Sequence, residues 1–230
     1  MPNYCDNDLK ITGKLEDVEK FMEDCISVTL GYKQNNGHFN YNCFLDFEKI
    51  LPTPTQENGE VIDEWYRWRI NNWGTKWNVC DTYDFEVYQE HSSSPVELTI
   101  GFTTAWGPAD QLYEHLAHKY KDTSLEFTIQ YYEGGCAFAG ELSYHKGEET
   151  NNFFVEYKSG DTENNIKYYT YLIEEELEDH EWMSERIEEC MNLEDATEEE
   201  IEDALSLFNE YYRRNKCEEA ARLFVEKTNY

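Results

Sequence analysis

Four of the chain's six tryptophans, Trp65, Trp68, Trp73 and Trp77, fall within thirteen residues, interleaved with Arg67, Arg69 and Lys76. Flat indole faces beside guanidinium and ammonium groups can stack on planar ligands and hold ions at close range. Wound as a helix, the run sets Trp65, Trp68 and Arg69 on one face and Tyr66, Ile70 and Trp73 on another, and it breaks at Gly74. Three uses are open to it. The indoles can plug the open face of a small sheet and anchor an insertion, with Asn71, Asn72 and Thr75 satisfying backbone groups. They can form a contact surface for a protein or ligand, or they can stack on nucleobases. The candidate contact residues are Trp65, Arg67, Trp68, Arg69, Asn72, Trp73, Lys76 and Trp77, joined by Trp106 from a separate turn.

Other reactive side chains are spread more thinly. Tyr132, Glu133, His145 and Asp81 could supply an acid/base set, but any acidic chain of this length offers such sets. No glycine-rich phosphate loop, nucleophile elbow or HExxH segment occurs. His115 and His118 stand three apart on an expected helix with no third ligand in view. Seven cysteines at wide intervals form no CxxC and no Cys/His cluster, so free thiols are expected. These readings predict a protein without catalytic residues, metal or cofactor.

Charge narrows the partner. The chain carries 49 Asp+Glu against 19 Lys+Arg, a formal net charge of -30. Affinity for a phosphate backbone comes mainly from Lys and Arg, so this balance works against direct binding to nucleic acid or an anionic membrane. Partners with basic surfaces fit better. The start MPNYCDNDLK has no apolar stretch for a signal peptide, and no window reaches the length of a membrane span, which predicts a cytoplasmic protein.

The elements that would position these groups can be read from periodicity. Asn7 to Gly13 predicts a strand, and Lys14 to Ile26 a helix with Leu15, Val18, Phe21, Met22 and Cys25 on its buried stripe. The pattern then weakens through an Asn/Gly-rich insertion, about 27–79, that holds the tryptophan run. Tyr83 to Gln89 and Val96 to Thr103 alternate around HSSSP as a hairpin. Pro108 opens a helix to about Asp122 with Leu112, Leu116 and Tyr120 inward. Strands follow at Leu125 to Tyr131, Ala137 to Tyr144 and Phe153 to Tyr157. This order, β-α, insertion, β-β-α-β and an extra hairpin, predicts an α+β fold: a ferredoxin-like split βαβ sandwich with its helices on one face of an antiparallel sheet. No iron-sulfur spacing is present, so the fold name carries no redox meaning.

From about Asp161 helix formers take over, and residues 161–230 hold 22 Asp+Glu against 7 Lys+Arg. Thr197 with Glu200 predicts a capping box, and Asn215 with Glu218 the start of another helix. Two or three acidic amphipathic helices are expected, giving domains of 1–158 and 159–230. The densest acids, Glu174, Glu175, Glu176, Glu178, Asp179, Glu181, Glu185, Glu188 and Glu189, would recur about every 5.4 Å along one helix, close to phosphate spacing. They are either a solvated face or a surface presented to a basic partner.

Several ordered motifs also carry a family resemblance. They are Met1 to Leu9 followed by Ile11-Thr12-Gly13, Phe47 to Pro54, Trp65 to Trp77, the Thr104-Ala105-Trp106-Gly107-Pro108 turn, and Tyr131 to Gly140. Together, over about residues 1–150, they resemble the YubB-type ferredoxin-like proteins of conjugative plasmids, phages and integrated elements. The resemblance implies a mobile-element accessory protein with no catalytic residue to carry over, and the acidic tail lies outside it. Charge and this implied genetic company lead to one expectation: a non-enzymatic protein that binds a basic-surfaced host protein. That partner is expected to be the nucleic-acid-binding surface of a defence complex, with carboxylates standing in for phosphates. The alternatives are a nucleic-acid or small-ligand module built on the tryptophan run, and an enzyme of unrecognised class.

Overall fold

The computed structural model describes residues 3–33, 39–177, 180–193 and 196–228. The chain divides into two compact units, one of Met1–Cys136 with Gly140–Phe153 and one of Ala137–Ala139 with Phe154–Tyr230. In the first, strand β1 (Tyr4–Gly13) is followed by helix α1 (Leu15–Cys25), and after an insertion come β4 (Asp81–Tyr88), β5 (Val96–Ala105), α4 (Asp110–Lys119) and β6 (Glu126–Glu133). Two more strands, β7 (Phe138–His145) and β8 (Glu148–Glu156), extend the sheet to the order β4-β5-β1-β6-β7-β8. β1 runs antiparallel to both β5 and β6, and β4 antiparallel to β5. This is the ferredoxin-like order that the pattern of strands and helices predicts.

Alternation along β1 explains the single covered face. Cys5, Leu9 and Ile11 are buried beneath the helices, while Asp6 and Lys10 stand on the opposite face. Asn7, fully buried, is satisfied on every side: its amide donates to Cys5 O and Thr104 Oγ1, and its carbonyl accepts from Tyr113 Oη of α4 at 2.7 Å. On α1, Val18, Phe21 and Cys25 are buried, but Leu15, expected on that stripe, is 49% exposed at the first turn. Pro108 precedes α4 rather than opening it, and Ala109 is the cap residue.

The insertion is more structured than its weak periodicity predicts. β2 (Ile26–Lys33) and β3 (Phe39–Leu45) pair as a separate two-stranded sheet, followed by the single-turn α2 (Phe47–Ile50) and by α3 (Trp65–Trp73). Helix α3 stops where Gly74 takes φ 85, and a Cβ there would come 2.2 Å from Asp110 Oδ1, so only glycine fits.

The second unit is made mainly of helices: α5 (Thr162–Glu174), α6 (His180–Leu193), α7 (Glu198–Arg213) and α8 (Cys217–Thr228). Its core holds Leu172, Met183, Ile187, Phe208 and Phe224, with Tyr169 against Phe224 at 4.6 Å and His180 stacked on Phe208 at 5.6 Å. The Thr197–Glu200 capping box forms as the sequence predicts. Asn215 does not cap α8. It takes φ 55 after α7, where Lys216 N donates to Tyr211 O and Asn215 N to Tyr212 O, a Schellman ending. None of the helices described is long and apolar enough to cross a membrane.

Candidate functional site

Trp73 is the centre of the tryptophan run and is wholly buried. Its indole N–H donates to Leu51 O at 3.0 Å, its ring meets Phe47 edge-on at 5.6 Å and Trp68 at 6.0 Å, and Phe47 in turn meets Phe102 of β5. The expected face shared by Tyr66, Ile70 and Trp73 is not a common surface, because Tyr66 and Ile70 are exposed while Trp73 is core. What Trp73 shares is Arg69, whose guanidinium lies 4.7 Å from its ring and 5.1 Å from that of half-buried Trp65. Arg69 also bonds Thr53 Oγ1 at 3.0 Å and Glu48 Oε1 at 2.7 Å, and Glu48 accepts from both Thr53 N and Thr53 Oγ1. Asn72 Nδ2 closes on Trp68 O, and Thr75 Oγ1 on Ala105 O. Trp65, Trp68, Arg69, Asn72 and Trp73 therefore tie the insertion together, and Phe47 against Phe102 and Thr75 on Ala105 O join it to β5.

The outward remainder is small. Arg67 and Tyr66 are exposed on α3. Lys76 Nζ sits 3.9 Å from the Trp77 ring and 5.8 Å from that of Trp106, with the two indoles 37% and 50% exposed. Trp106 is left-handed at φ 76, an uncommon conformation for a bulky residue.

The acid/base set is not assembled. Asp81 on β4 and Tyr132 on β6 are separated by β5 and β1, about 14 Å at ordinary strand spacing. Glu133 is buried and accepts from Gly135 N at 3.0 Å and from Cys136 N, closing its own turn. His145 Nδ1 lies 3.1 Å from Glu126 at the other end of β6. Thiol chemistry is disfavoured at the two cysteines nearest Glu133. Burial first, then Asp6 and Glu133, push Cys5 up, and the hydrogen bond to Glu133 raises Cys136. The uncovered sheet face is polar instead. Tyr83 lies across Gly101, where a Cβ would meet its ring at 2.2 Å, and donates to Asn7 O and Asp8 Oδ1. Burial there raises Asp8 above the usual carboxylate value.

A shallow polar cleft of about 320 Å³ lies between α3 and α4, lined by Asn71, Asn72, Gln111, Glu114, His115 and His118 among others. Burial, then Lys119 and His118, hold the His115 imidazole below its usual value. Among the described residues no three His, Cys, Asp or Glu side chains come together in a way that could hold a metal ion.

In the helical unit the acidic run is split rather than continuous. Helix α5 ends in a Schellman motif with Glu176 at φ 52, Glu176 N donating to Ile173 O and Leu177 N to Leu172 O. Glu174, Glu175 and Glu176 thus belong to one helix end and Glu181, Glu185, Glu188 and Glu189 to α6; Glu178 and Asp179 lie outside the described residues. No glycine marks this break, which is why helical periodicity ran through it. All seven described acids are exposed, and Glu189 is 3.2 Å from Arg186.

Sequence reasoning missed the neighbouring face of α7. Glu198, Ile201, Glu202, Leu205, Ser206 and Asn209 recur at helical spacing and, with Glu188 and Asn192 of α6, line a groove of about 610 Å³. The apolar spacing after the capping box, Ile201, Leu205 and Phe208, marks the inward stripe of α7, whose Ile201 and Phe208 are buried, and the groove lies at its edge. Six of the seven cations in residues 161–230, all but Arg213 among the described residues, are engaged locally. Lys167, Arg186, Arg214, Lys216, Arg222 and Lys227 each lie 2.6 to 3.9 Å from a carboxylate one to four residues away. No such pair involves Glu188, Glu198 or Glu202 among the described residues.

Comparison with known proteins bears on the fold. A family model described as "Ferredoxin-like domain in Api92-like protein" matches residues 82–204, more than half of the chain. It begins in β4 and ends in α7, so it takes in α5 and α6, which the sequence reading placed outside the family resemblance. The crystal structure of a protein Api92 from Yersinia pseudotuberculosis is similar at 11% identity and a TM-score of 0.44, over 70% of this chain and 99% of that one. No curated protein matches the chain.

Proposed function

The chain belongs to the family of ferredoxin-like domains in Api92-like proteins, and from that premise we propose a non-enzymatic binding protein whose acidic helical surface engages a partner with a basic surface. One observation carries this reading. Six of the seven cations in residues 161–230 are matched to carboxylates beside them, all but Arg213, while among the described residues Glu188, Glu198 and Glu202 face the α6–α7 groove with no such partner. Fixed charge of one sign on helices raises the encounter rate with an oppositely charged surface and fixes the register of docking. The YubB-type resemblance over about residues 1–150 supports a mobile-element setting, in which the partner is a nucleic-acid-binding host protein and the carboxylates occupy its phosphate sites.

The test replaces Glu181, Glu185, Glu188, Glu198 and Glu202 with Gln and compares capture of basic host proteins by parent and variant at low and high salt. The expected result is a partner retained by the parent at low salt, shed at high salt and lost by the variant. A partner set indifferent to both salt and substitution overturns the reading. A second reading, an aromatic contact surface in the sheet unit, is favoured by half-exposed, left-handed Trp106 beside Lys76 and Trp77. Loss of the same partner on Trp106→Ala, with the Gln variant unaffected, would select it.

A further inference from the structure

Taking the acidic-surface reading as its basis, we propose that the α6–α7 groove is the seat for a Lys/Arg-rich amphipathic helix of the partner, which lays an apolar stripe on Leu205 and the exposed Leu193 at the end of α6 and its basic flanks on the rim carboxylates. The groove has the two chemistries such a helix needs. Half-buried Leu205 lines the groove one turn after Ile201, which is itself held in the core of the unit, and Ser206 and Asn209 add small polar groups beside it. Glu188 comes from the α6 side, and Glu198 and Glu202 from the α7 side, one turn apart. Leu193, the residue after groove-lining Asn192, is 83% exposed, a large apolar side chain at the end of α6.

Charge complementarity selects the occupant. An apolar helix would leave three rim carboxylates facing low-dielectric surface without a counter-charge, which is costly. An acidic helix would be repelled by the same groups and by a chain of net charge -30. A basic but uniformly polar strand or loop would satisfy the rim and leave half-buried Leu205 and exposed Leu193 uncovered. Only a helix with one apolar and one basic face meets both, through contacts at i, i+3, i+4 and i+7. The volume of about 610 Å³ is that of a site taking a few side chains, so the apolar contact is local and the charge pairing extends beyond it.

The experiment uses the full chain and two synthetic peptides of identical Leu/Lys composition, about five helical turns long, one with its leucines on a single helical stripe and one with the order scrambled. Binding is measured calorimetrically at low and moderate salt. The striped peptide is expected to bind about tenfold or more tightly than the scrambled one. Ser206→Trp, which fills the groove from an exposed position, should remove that preference while leaving the salt-dependent binding of the scrambled peptide in place. Should Ser206→Trp not melt cooperatively, Asn209→Phe fills the groove from a neighbouring position without changing its charge and carries the same expectation.

Equal affinities for the two peptides, or a preference that survives the groove variant, overturn the groove as the seat. The acidic reading still stands in that case if Glu188→Gln with Glu202→Gln weakens both peptides and flattens their salt dependence. Binding indifferent to those substitutions overturns both. An enhanced preference in the parent that both the groove variant and the Gln pair abolish is the result that establishes the proposal.

Discussion

Around Trp73 the rare cation and the large rings turn inward, Arg69 lying against two indoles and bridging Thr53 to Glu48. On α6 and α7 the abundant acids turn outward, and Arg186 and Arg214 are held by carboxylates three or four residues away. Density of one residue type along the sequence therefore has opposite outcomes in the two regions. Aromatic rings gain most by burial and gather a core around themselves, whereas carboxylates lose solvation on burial and stay at the surface. A dense tryptophan run is accordingly evidence for packing before it is evidence for recognition. A dense acidic run becomes evidence for recognition only where it borders an apolar floor.

The comparison breaks most sharply at Trp73. Trp73→Ala should lower stability by roughly 3 to 5 kcal/mol, because it empties a fully enclosed site and strands the carbonyl of Leu51. Denaturant unfolding of the purified variant checks this, and the folded fraction should keep its affinity for the basic partner. An unchanged melting point with lost binding would make the run a contact surface and reverse the contrast. Arg69→Met tests the inward cation. It removes the bonds to Thr53 and Glu48 and leaves Glu48 without a cation, so a loss of about 2 kcal/mol is expected. A loss below about 0.5 kcal/mol would place Arg69 among ordinary surface ion pairs.

Alternation and helical periodicity made most of the sheet and its two covering helices legible, because each buries one face and so repeats every two or 3.6 residues; of β8 only the stretch from Phe153 was read, since its residues up to Phe154 are all exposed and show no alternation. The β2–β3 hairpin was not, since Ser27 to Gly59 is rich in Asn and Gly and shows no sustained alternation. The burial of Trp73 depends on Phe47 and Leu51, more than twenty residues upstream, a relation no local window contains. The break after Glu174 was hidden for a different reason. Glutamate there takes the left-handed conformation usually given to glycine, so the chain reads as helix through a residue that ends it. The inward stripe of α7 was legible in spacing, but the pairing of its edge with Glu188 of α6 is tertiary.

Within the sheet unit, carboxylates divide by surroundings, and pH separates them. Burial raises Asp8 above its unfolded value, so its ionisation opposes folding as pH rises through the folded value; below the unfolded value the penalty is absent. Asp17 goes the other way. It accepts from Ser124 N and Oγ, is lowered by those bonds, and contributes stability above its unfolded value that is lost as pH falls through the folded one. Asp8→Asn, which keeps an oxygen for Tyr83, should raise the melting point by about 1 °C at neutral pH, and Asp17→Asn should lower it by a similar amount. The Asp8 difference should close below its unfolded value and the Asp17 difference only further down, below its lowered folded value, where each aspartate is protonated in either state. Melting curves at neutral and acid pH decide, and equal signs for the two variants would contradict the division.

The smallest expected effect is the most informative about the outward region. Replacing Glu181, Glu185 and Glu188 with Gln removes three exposed like charges spaced i, i+4 and i+7 on α6. Like charges at helical spacing repel by a few tenths of a kcal/mol per pair, and exposed substitutions seldom shift stability by more than about 0.5 kcal/mol. The variant should therefore melt with or slightly above the parent at low ionic strength, and the gap should close as salt screens the repulsion. A carboxylate face that helped hold the helical unit together would show the reverse: a lower melting point at low salt that added salt does not restore. That result would turn α6 into a second inward-facing region and remove the contrast with Arg69. An unchanged fold with weakened, salt-flattened partner binding would confine the role of these acids to recognition.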